Sequence, residues 1–592
     1  MAQGIGSIVS EWQFRGLSPQ EQSWAREIAS ALDLHPIVGE IMVKRGIRSP
    51  QEARLFIHPD ITTLHNPYLL QDMELAVRRL SFALEKGERI LIYGDYDVDG
   101  TTAVALVYCV LRDYLCLEDR LSYYIPDRND EGYGISEKAV LAAKDMGVSL
   151  IVALDCGIKA HREIAYAAEL GIDCIICDHH RPDETLPPAL AILNPMREGN
   201  EYPNVHLSGC GVGFKLMQAL VTTWGLEESC IYKYLDLVAI SIAADIVPVV
   251  GENRTLVYHG LRQLNTAPSL GIQELMRLTD LSCEKIDMNS IIFKIAPRIN
   301  ASGRMMSGGD AVALLISADE TEVRLWGQRL EQYNRQRREL DLSVTEEALH
   351  MIRDMGDISD LPFLLLYAPH WHRGVLGIVA SRLTERYNRP TIILSRRGDG
   401  LVVGSARSVR EINLYRALEA CEEYLINFGG HTHAAGLTIA EKDIEAFRSA
   451  LLTYFHSHVE RCEQARQIAI DAELKIEDIQ PELMQQIQLL APFGLMNEHP
   501  VFATYRFRDA GGSRLVGREG GHIKLRMTDR YCKHRPIHGI ALRQARHIDW
   551  IVSQKSFAAC YTMQANDYYG KAFLQLQVKD IITEYRDRED GV

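Results

Sequence analysis

An apolar run that stops at a glycine and three alternating acids constrains this chain more than any other stretch. In ERILIYGDYDVDGTTA (88–103), Ile90 to Tyr93 lead into Gly94, then Asp95, Asp97 and Asp99, then Gly100 and two threonines. Close carboxylates repel one another and stay ionised only where a cation neutralises them. A solvated acidic turn is the plain alternative. A calcium loop is another, because DxDxDG matches the first half of an EF-hand. That loop needs a bidentate glutamate at its twelfth position, which is Leu106 here, and a preceding helix where this chain has a β-rich run. What remains is a carboxylate cluster at the C-terminal tip of a buried strand, where open α/β sheets place their ligands.

From about 72 to 250 apolar runs alternate with amphipathic stretches. Strands are expected at 88–95, 121–125, 149–155, 172–177 and 190–193, with helices such as 136–146 and 159–170 between them. Near-continuous apolar strands in β/α alternation predict a doubly wound parallel sheet covered on both faces. Residues 1–70 read as a helical lead, with Ser49 capping a helix that starts at Pro50.

Polar residues recur at the strand ends. The run at 149–155 closes on Asp155, the run at 172–177 is followed by Asp178, His179 and His180, and LVAISIAADIVPVV carries a single acid, Asp245. Each alone has a plain explanation as a turn, a cap or a hydrogen-bonded structural histidine. Together they set Asp95, Asp97, Asp99, Asp155, Asp178, His179, His180 and Asp245 along one sheet edge. Carboxylates with one or two imidazoles suit Mn²⁺ or Mg²⁺, and so many ligands suit two ions, the arrangement that promotes in-line attack on phosphorus. Neither a GxSxG elbow nor a Walker A loop is present.

Composition bears on the partner. The 592 residues predict roughly three to five domains. A net charge of −15 opposes nucleic acid, so a polynucleotide substrate requires a local basic groove. No stretch of about eighteen apolar residues and no basic-then-apolar leader occurs, from which a soluble, cytoplasmic protein without a membrane partner is expected. The 12 cysteines are scattered, as in a reducing compartment; Cys174 and Cys177, at odd spacing on a strand, point to opposite faces and are read as core.

YGDYDVDGTTA, DCGI, CDHH and AADIVP, in this order and spacing, resemble the DHH phosphoesterases. The later APRINASGR, HWHRGVLGIVASRL, GSARS and GGHTHAAG are similar to the bacterial single-strand-specific exonucleases of that superfamily, and the likeness runs from about residue 50 to 500. The resemblance implies Asp97 as ligand of a first ion and Asp99 of a second, Asp155 as a bridge, and His179 and Asp245 as further ligands of the second ion. Asp95 is either a first-ion ligand or a group supporting one. Asp178 is read as orienting His179, and His180 as contacting the scissile phosphate. Arg128 is implied as a phosphate partner and Tyr133 as a base or sugar stacker.

APRINASGR has too many small residues for a core helix, and Arg298, Asn300 and above all Arg304 are read as phosphate contacts. Residues 320–355 form one amphipathic helix bridging two domains; its Arg335, Arg337 and Arg338 fit a solvated face and a DNA channel wall equally. A second α/β unit begins near 362. Its Gly374 and Gly377 allow close backbone approach at a helix start, an anion site. Ser405, Arg407, His431 and His433 resemble the DHHA1 domain, which binds substrate opposite the metals. From 465 short alternating segments predict a β-barrel of OB type, locally basic through Arg506, Arg508, Arg514, Arg518, Lys524 and Arg526.

The expected architecture is therefore a helical lead (1–70), a DHH catalytic domain (71–310), a bridging helix (311–358), a DHHA1 domain (359–460) and an OB-fold (465–592). The expected activity is two-metal 5′→3′ hydrolysis of single-stranded DNA to 5′ mononucleotides in DNA repair and recombination, with single-strand-binding protein and a helicase as partners. A phosphodiesterase of short oligonucleotides or cyclic dinucleotides would need neither the long helix nor a basic barrel. A non-enzymatic replication scaffold should have lost ligands that are all present here.

Overall fold

Parallel strands buried on both faces read as unbroken apolar runs, and five such runs form the first sheet of the computed structural model. The structure describes residues 10–115, 118–128, 130–281, 286–358, 360–409, 412–458, 466–517, 520–529, 535–568 and 571–584. Arg518 and the expected break between 460 and 465 lie outside these residues. The chain divides into two compact units, one of Asn66–Asp245 with Gly260–Gln464, the other of Met1–His65 with Ile246–His259 and Ala465–Val592.

In the larger unit the strands run side by side in the order Leu121–Tyr124, Arg89–Gly94, Val148–Leu154, Asp173–Cys177 and Ala191–Leu193, all parallel. In chain order this is 2-1-3-4-5, so the connections reverse between Arg89–Gly94 and Val148–Leu154. Ligands bind in the crevice that such a reversal opens at the strand C-termini. Helices Val98–Leu115 and Gly209–Thr223 are almost wholly buried. Cys174 and Cys177 are buried free thiols.

Helix Ala296–Met305 corrects the expectation for APRINASGR. Its small residues are what let it approach: a Cβ on Gly303 would lie 2.5 Å from the Tyr96 carbonyl. It packs on the long helix Glu320–Asp354, capped by Asp319. A second sheet follows in the order Leu425–Gly430, Ala434–Ala440, Leu401–Arg407, Thr391–Gly398 and Leu364–Tyr367, with only the last pair parallel. Helix Leu376–Tyr387 packs on it.

In the smaller unit, strands Phe502–Asp509, Phe557–Tyr568, Lys571–Ile582, Ile537–Ala541 and His522–Thr528 pair in turn, and Phe502–Asp509 also pairs with His522–Thr528. That last pairing closes an OB-type barrel. The lead does not stand alone as the sequence suggests. It opens with a strand, Ser10–Phe14, paired in parallel with Arg466–Ile470, and its Ile28, Ile41 and Ile57 share one core with Leu483, Phe507 and Tyr561 of the barrel segment.

Candidate active site

The acidic loop is built around two glycines. A Cβ on Gly100 would overlap the backbone of Asp95, and one on Gly94 would meet Val104, so the chain folds back on itself directly after the strand. The turn is tied by the Thr101 hydroxyl donating to the Asp97 carbonyl (2.6 Å) and the Thr102 hydroxyl to that of Val98 (2.7 Å). Asp97 is thereby left at the loop tip and Asp99 in the first turn of helix Val98–Leu115. Asp155 and Asp178 extend their strands, their amides donating to the carbonyls of Cys177 and Leu193. Asp155 sits at φ 59°, a left-handed conformation that aspartate tolerates better than most residues with a Cβ.

Three side-chain groups each bring three ligand atoms within 4.8 Å of one another: Asp95, Asp97 and Asp155; Asp99, His179 and Asp245; and Asp155, His179 and His180. His179 Nε2 lies 3.1 Å from Asp155 Oδ1 and 3.6 Å from both Asp99 Oδ2 and Asp245 Oδ2. Asp95 Oδ1, Asp155 Oδ1 and His179 Nε2 are buried without a hydrogen-bond partner. Buried polar atoms are ordinarily satisfied, so an unpartnered Asp155 oxygen that shares one ligand group with Asp95 and another with His179 fits a cation on either side. Burial, then the charges of Asp99, Asp97, Asp245 and Asp95, push the Asp155 carboxyl well above its usual range, and a divalent ion would reverse that.

Asp99 is held by groups the sequence did not single out. Its Oδ2 accepts from the Gly209 amide and its Oδ1 from the Cys210 amide and the Ser241 hydroxyl, each at 2.7 Å. The N-terminus of helix Gly209–Thr223, capped by Ser208, thus grips the carboxylate. Gly209 has a second reason to be glycine: a Cβ there would stand 2.5 Å from Asp155 Cβ. Only proximity in space reveals this, since Gly209 is far from either acid in the chain.

Asp178 meets the His180 ring rather than that of His179. Its Oδ1 accepts from His180 Nδ1 at 2.8 Å and from the amides of His179 and His180, while Oδ2 accepts from the Ile158 amide. The backbone turn after Asp178 brings the second histidine back over the carboxylate and sends the first to the acids. Burial opposes a charged His180, but the Asp178 hydrogen bond and charge outweigh it and raise the pKa to about 9. The Tyr133 hydroxyl reaches His180 at 3.2 Å and the Asp155 carbonyl at 3.2 Å.

Basic groups of the same unit gather nearby. Arg128 lies over the Tyr96 ring at 5.1 Å. Arg304 donates to the Gly374 carbonyl at 3.2 Å; burial, then Arg128, Arg337 and Arg407, lower its pKa to about 9. Arg407 donates to Ser405 Oγ at 3.2 Å. Burial, His180 and Lys159 lower the His431 pKa. Glycines 374 and 377 give their space to protein atoms: a Cβ on Gly377 would lie 2.9 Å from Arg407 Nη2, and one on Gly374 would overlap the Arg304 carbonyl. Arg298 departs from its expected role, its Nε being committed to Glu331 of the long helix at 2.6 Å and its Nη1 to the Lys294 carbonyl. Asn300 is half-buried on the same helix, and His433 is exposed.

Comparison with known proteins agrees with this assembly. The family models for the DHH family N-terminal domain, the DHHA1 domain and the RecJ OB domain match residues 89–242, 360–457 and 470–580. The single-stranded-DNA-specific exonuclease RecJ of Bacillus subtilis is 33% identical over 95% of this chain and 70% of its own, and that of Escherichia coli 31% over 95% and 100%. The chain belongs to the RecJ family. The RecJ of Thermus thermophilus, solved in complex with Mn²⁺, superposes with a TM-score of 0.83 at 26% identity, covering 98% of this chain and 81% of that one. A Mg²⁺ complex of that RecJ gives 0.77 at 25% identity, covering 98% and 80%. The three RecJ domains follow in the order that the sequence motifs predict. No helix among the described residues is long and apolar enough to cross a membrane.

Proposed function

We propose that this protein is a divalent-metal-dependent exonuclease that removes nucleotides from the 5′ end of single-stranded DNA as 5′ mononucleotides, in DNA repair and recombination. The observation that carries this is the set of three buried, unpartnered ligand atoms on Asp95, Asp155 and His179, in a chain whose relatives along 95% of its length are single-stranded-DNA-specific exonucleases.

In this reading Asp95, Asp97 and Asp155 hold one ion, and Asp155, Asp99, His179 and Asp245 the other. When bound, the ions acidify the attacking water and stabilise charge on the leaving oxygen. The protein groups do the rest. Asp178 holds the His180 ring, whose charge meets the scissile phosphate, and Tyr133 covers that ring against the terminal nucleotide. Arg128, Arg304, Ser405, Arg407 and His431 hold phosphate across from the acids, with Asn300 beside them.

The same reading puts the protein in the cytoplasm, with single-strand-binding protein presenting its substrate and a helicase generating it. The test is incubation with Mn²⁺ and with single and double strands labelled at either end. Loss of 5′ label first, as a mononucleotide and from single strands alone, is the expected result. Release from the 3′ end or by internal cuts would refute it.

A further inference from the structure

The long helix carries three arginines within four residues, and the structure separates them. Arg335 and Arg338 are exposed, whereas Arg337 is half-buried. Its Nη2 donates to the buried Asn334 at 2.8 Å, and its Nε is buried with no partner. The nearby acids are engaged elsewhere: Asp341 Oδ2 accepts from Arg382 at 2.8 Å and Glu331 Oε2 from Arg298 at 2.6 Å. The Arg298–Glu331 pair clamps helix Ala296–Met305 to the long helix, which brings Arg304 and Arg337 within electrostatic reach of one another.

Four guanidiniums, on Arg128, Arg304, Arg337 and Arg407, thus gather from four separate segments, and among the described residues none forms an ion pair. Asp341 acts on Arg337 and Asp95 on Arg128 from a distance, so the positive charge is only partly offset. Arg304, Arg337 and Arg407 are half-buried and Arg128 is exposed; half-buried cations without a closed ion pair are costly, and an incoming anion lowers that cost. Guanidinium forks match phosphate oxygens two by two. One terminal phosphate cannot engage four of them, so successive phosphates of a strand are required.

We propose that Arg337 is a phosphate-binding residue, gripping the backbone of the single strand beside Arg304, so that the helix joining the two sheets takes part directly in holding substrate. The assignment rests on the exonuclease reading above. It distinguishes Arg337 from its exposed neighbours, which contribute only to the general field.

The test is equilibrium binding, in Mn²⁺, of a 5′-phosphorylated single strand with phosphorothioate linkages at its 5′ end, across a salt series. Arg337→Gln should weaken binding about tenfold, the value of one charge-assisted contact, and flatten the slope of log K against log salt by about 0.7, one single-strand phosphate. Arg338→Gln, which removes the same formal charge, should leave the slope as in the parent. Arg337→Lys should keep the slope but lose several-fold in affinity, because it retains the charge without the fork. Should Arg337→Gln not fold, the lysine variant decides, and unchanged affinity in it overturns the proposal. So does an Arg337→Gln slope equal to that of the parent or of Arg338→Gln. If the parent protein itself neither binds nor degrades the strand, it is the exonuclease reading that falls.

Discussion

Asp155 shows how much one residue can be asked to do. It occupies a left-handed backbone position, shares ligand groups with acids on one side and histidines on the other, and has an unpartnered buried oxygen. Asp155→Asn should abolish hydrolysis in Mn²⁺, by more than the roughly 10- to 100-fold seen when only a supporting group is lost. The metal-free protein should melt higher, because a buried carboxyl that folds only by taking up a proton is replaced by a neutral amide, and the rise in melting temperature on adding Mn²⁺ should shrink. Mononucleotide release and thermal unfolding with and without Mn²⁺ check both. Gly209→Ala tests the support beneath it. A methyl group 2.5 Å from Asp155 Cβ must displace the carboxylate or the helix start, so activity should fall steeply with a stability loss of about 1–3 kcal/mol, read by denaturant unfolding. The acids and histidines were legible in the sequence because their chemistry is contiguous in short motifs. Gly209, Cys210 and Ser241 were not, since their importance lies in reaching Asp99 across the fold.

At the scale of elements, a run of small residues in helix Ala296–Met305 signals close approach as well as a loop, and only the partner surface distinguishes them. Here the partners are the Tyr96 backbone and the long helix, and the two arginines at its ends do different work. Arg298→Ala should cost about 1–2 kcal/mol of stability, since it strands a largely covered Glu331, with side-chain exposures of 12% and 24% in the pair. Its KM should change less than that of Arg304→Ala, whose stability should stay near the parent. Urea unfolding beside steady-state kinetics separates the two. The central strands were legible to within about two residues because a doubly covered parallel sheet writes itself as apolar runs. The five-residue strand Ser10–Phe14 was not, because its pairing partner, Arg466–Ile470, lies far along the chain, beyond both sheets of the larger unit.

At the scale of the whole molecule, that terminal pairing changes what can be removed. Trp12 Nε1 donates to Asp580 at 3.0 Å, the His35 amide to Gln486 at 2.6 Å, and Arg254 to the Ala491 carbonyl at 2.7 Å. Ending the chain at 464 would expose the apolar faces of the helices between 19 and 57, so the product should be insoluble or quickly proteolysed rather than a working nuclease with weaker binding. Solubility and limited proteolysis decide. The role of the barrel is better tested with its fold intact. On one face Arg514 stands directly across from Lys524, and Arg526 across from His538, whose pKa is lowered by burial and then by Arg526 and Lys524. Like charges placed opposite one another on a sheet, as Arg514 and Lys524 are, destabilise it and gain most from a bound polyanion. Replacing Arg514, Lys524 and Arg526 together with Gln should therefore preserve or raise the melting temperature. For long single strands it should reduce the salt slope by about 0.7 for each phosphate no longer neutralised, about 2 for all three. Hydrolysis of a dinucleotide, which has no further phosphates to offer the barrel, should be unaffected. Long and short substrates followed over one salt series then show whether the barrel is a track for the strand or only a scaffold for the lead.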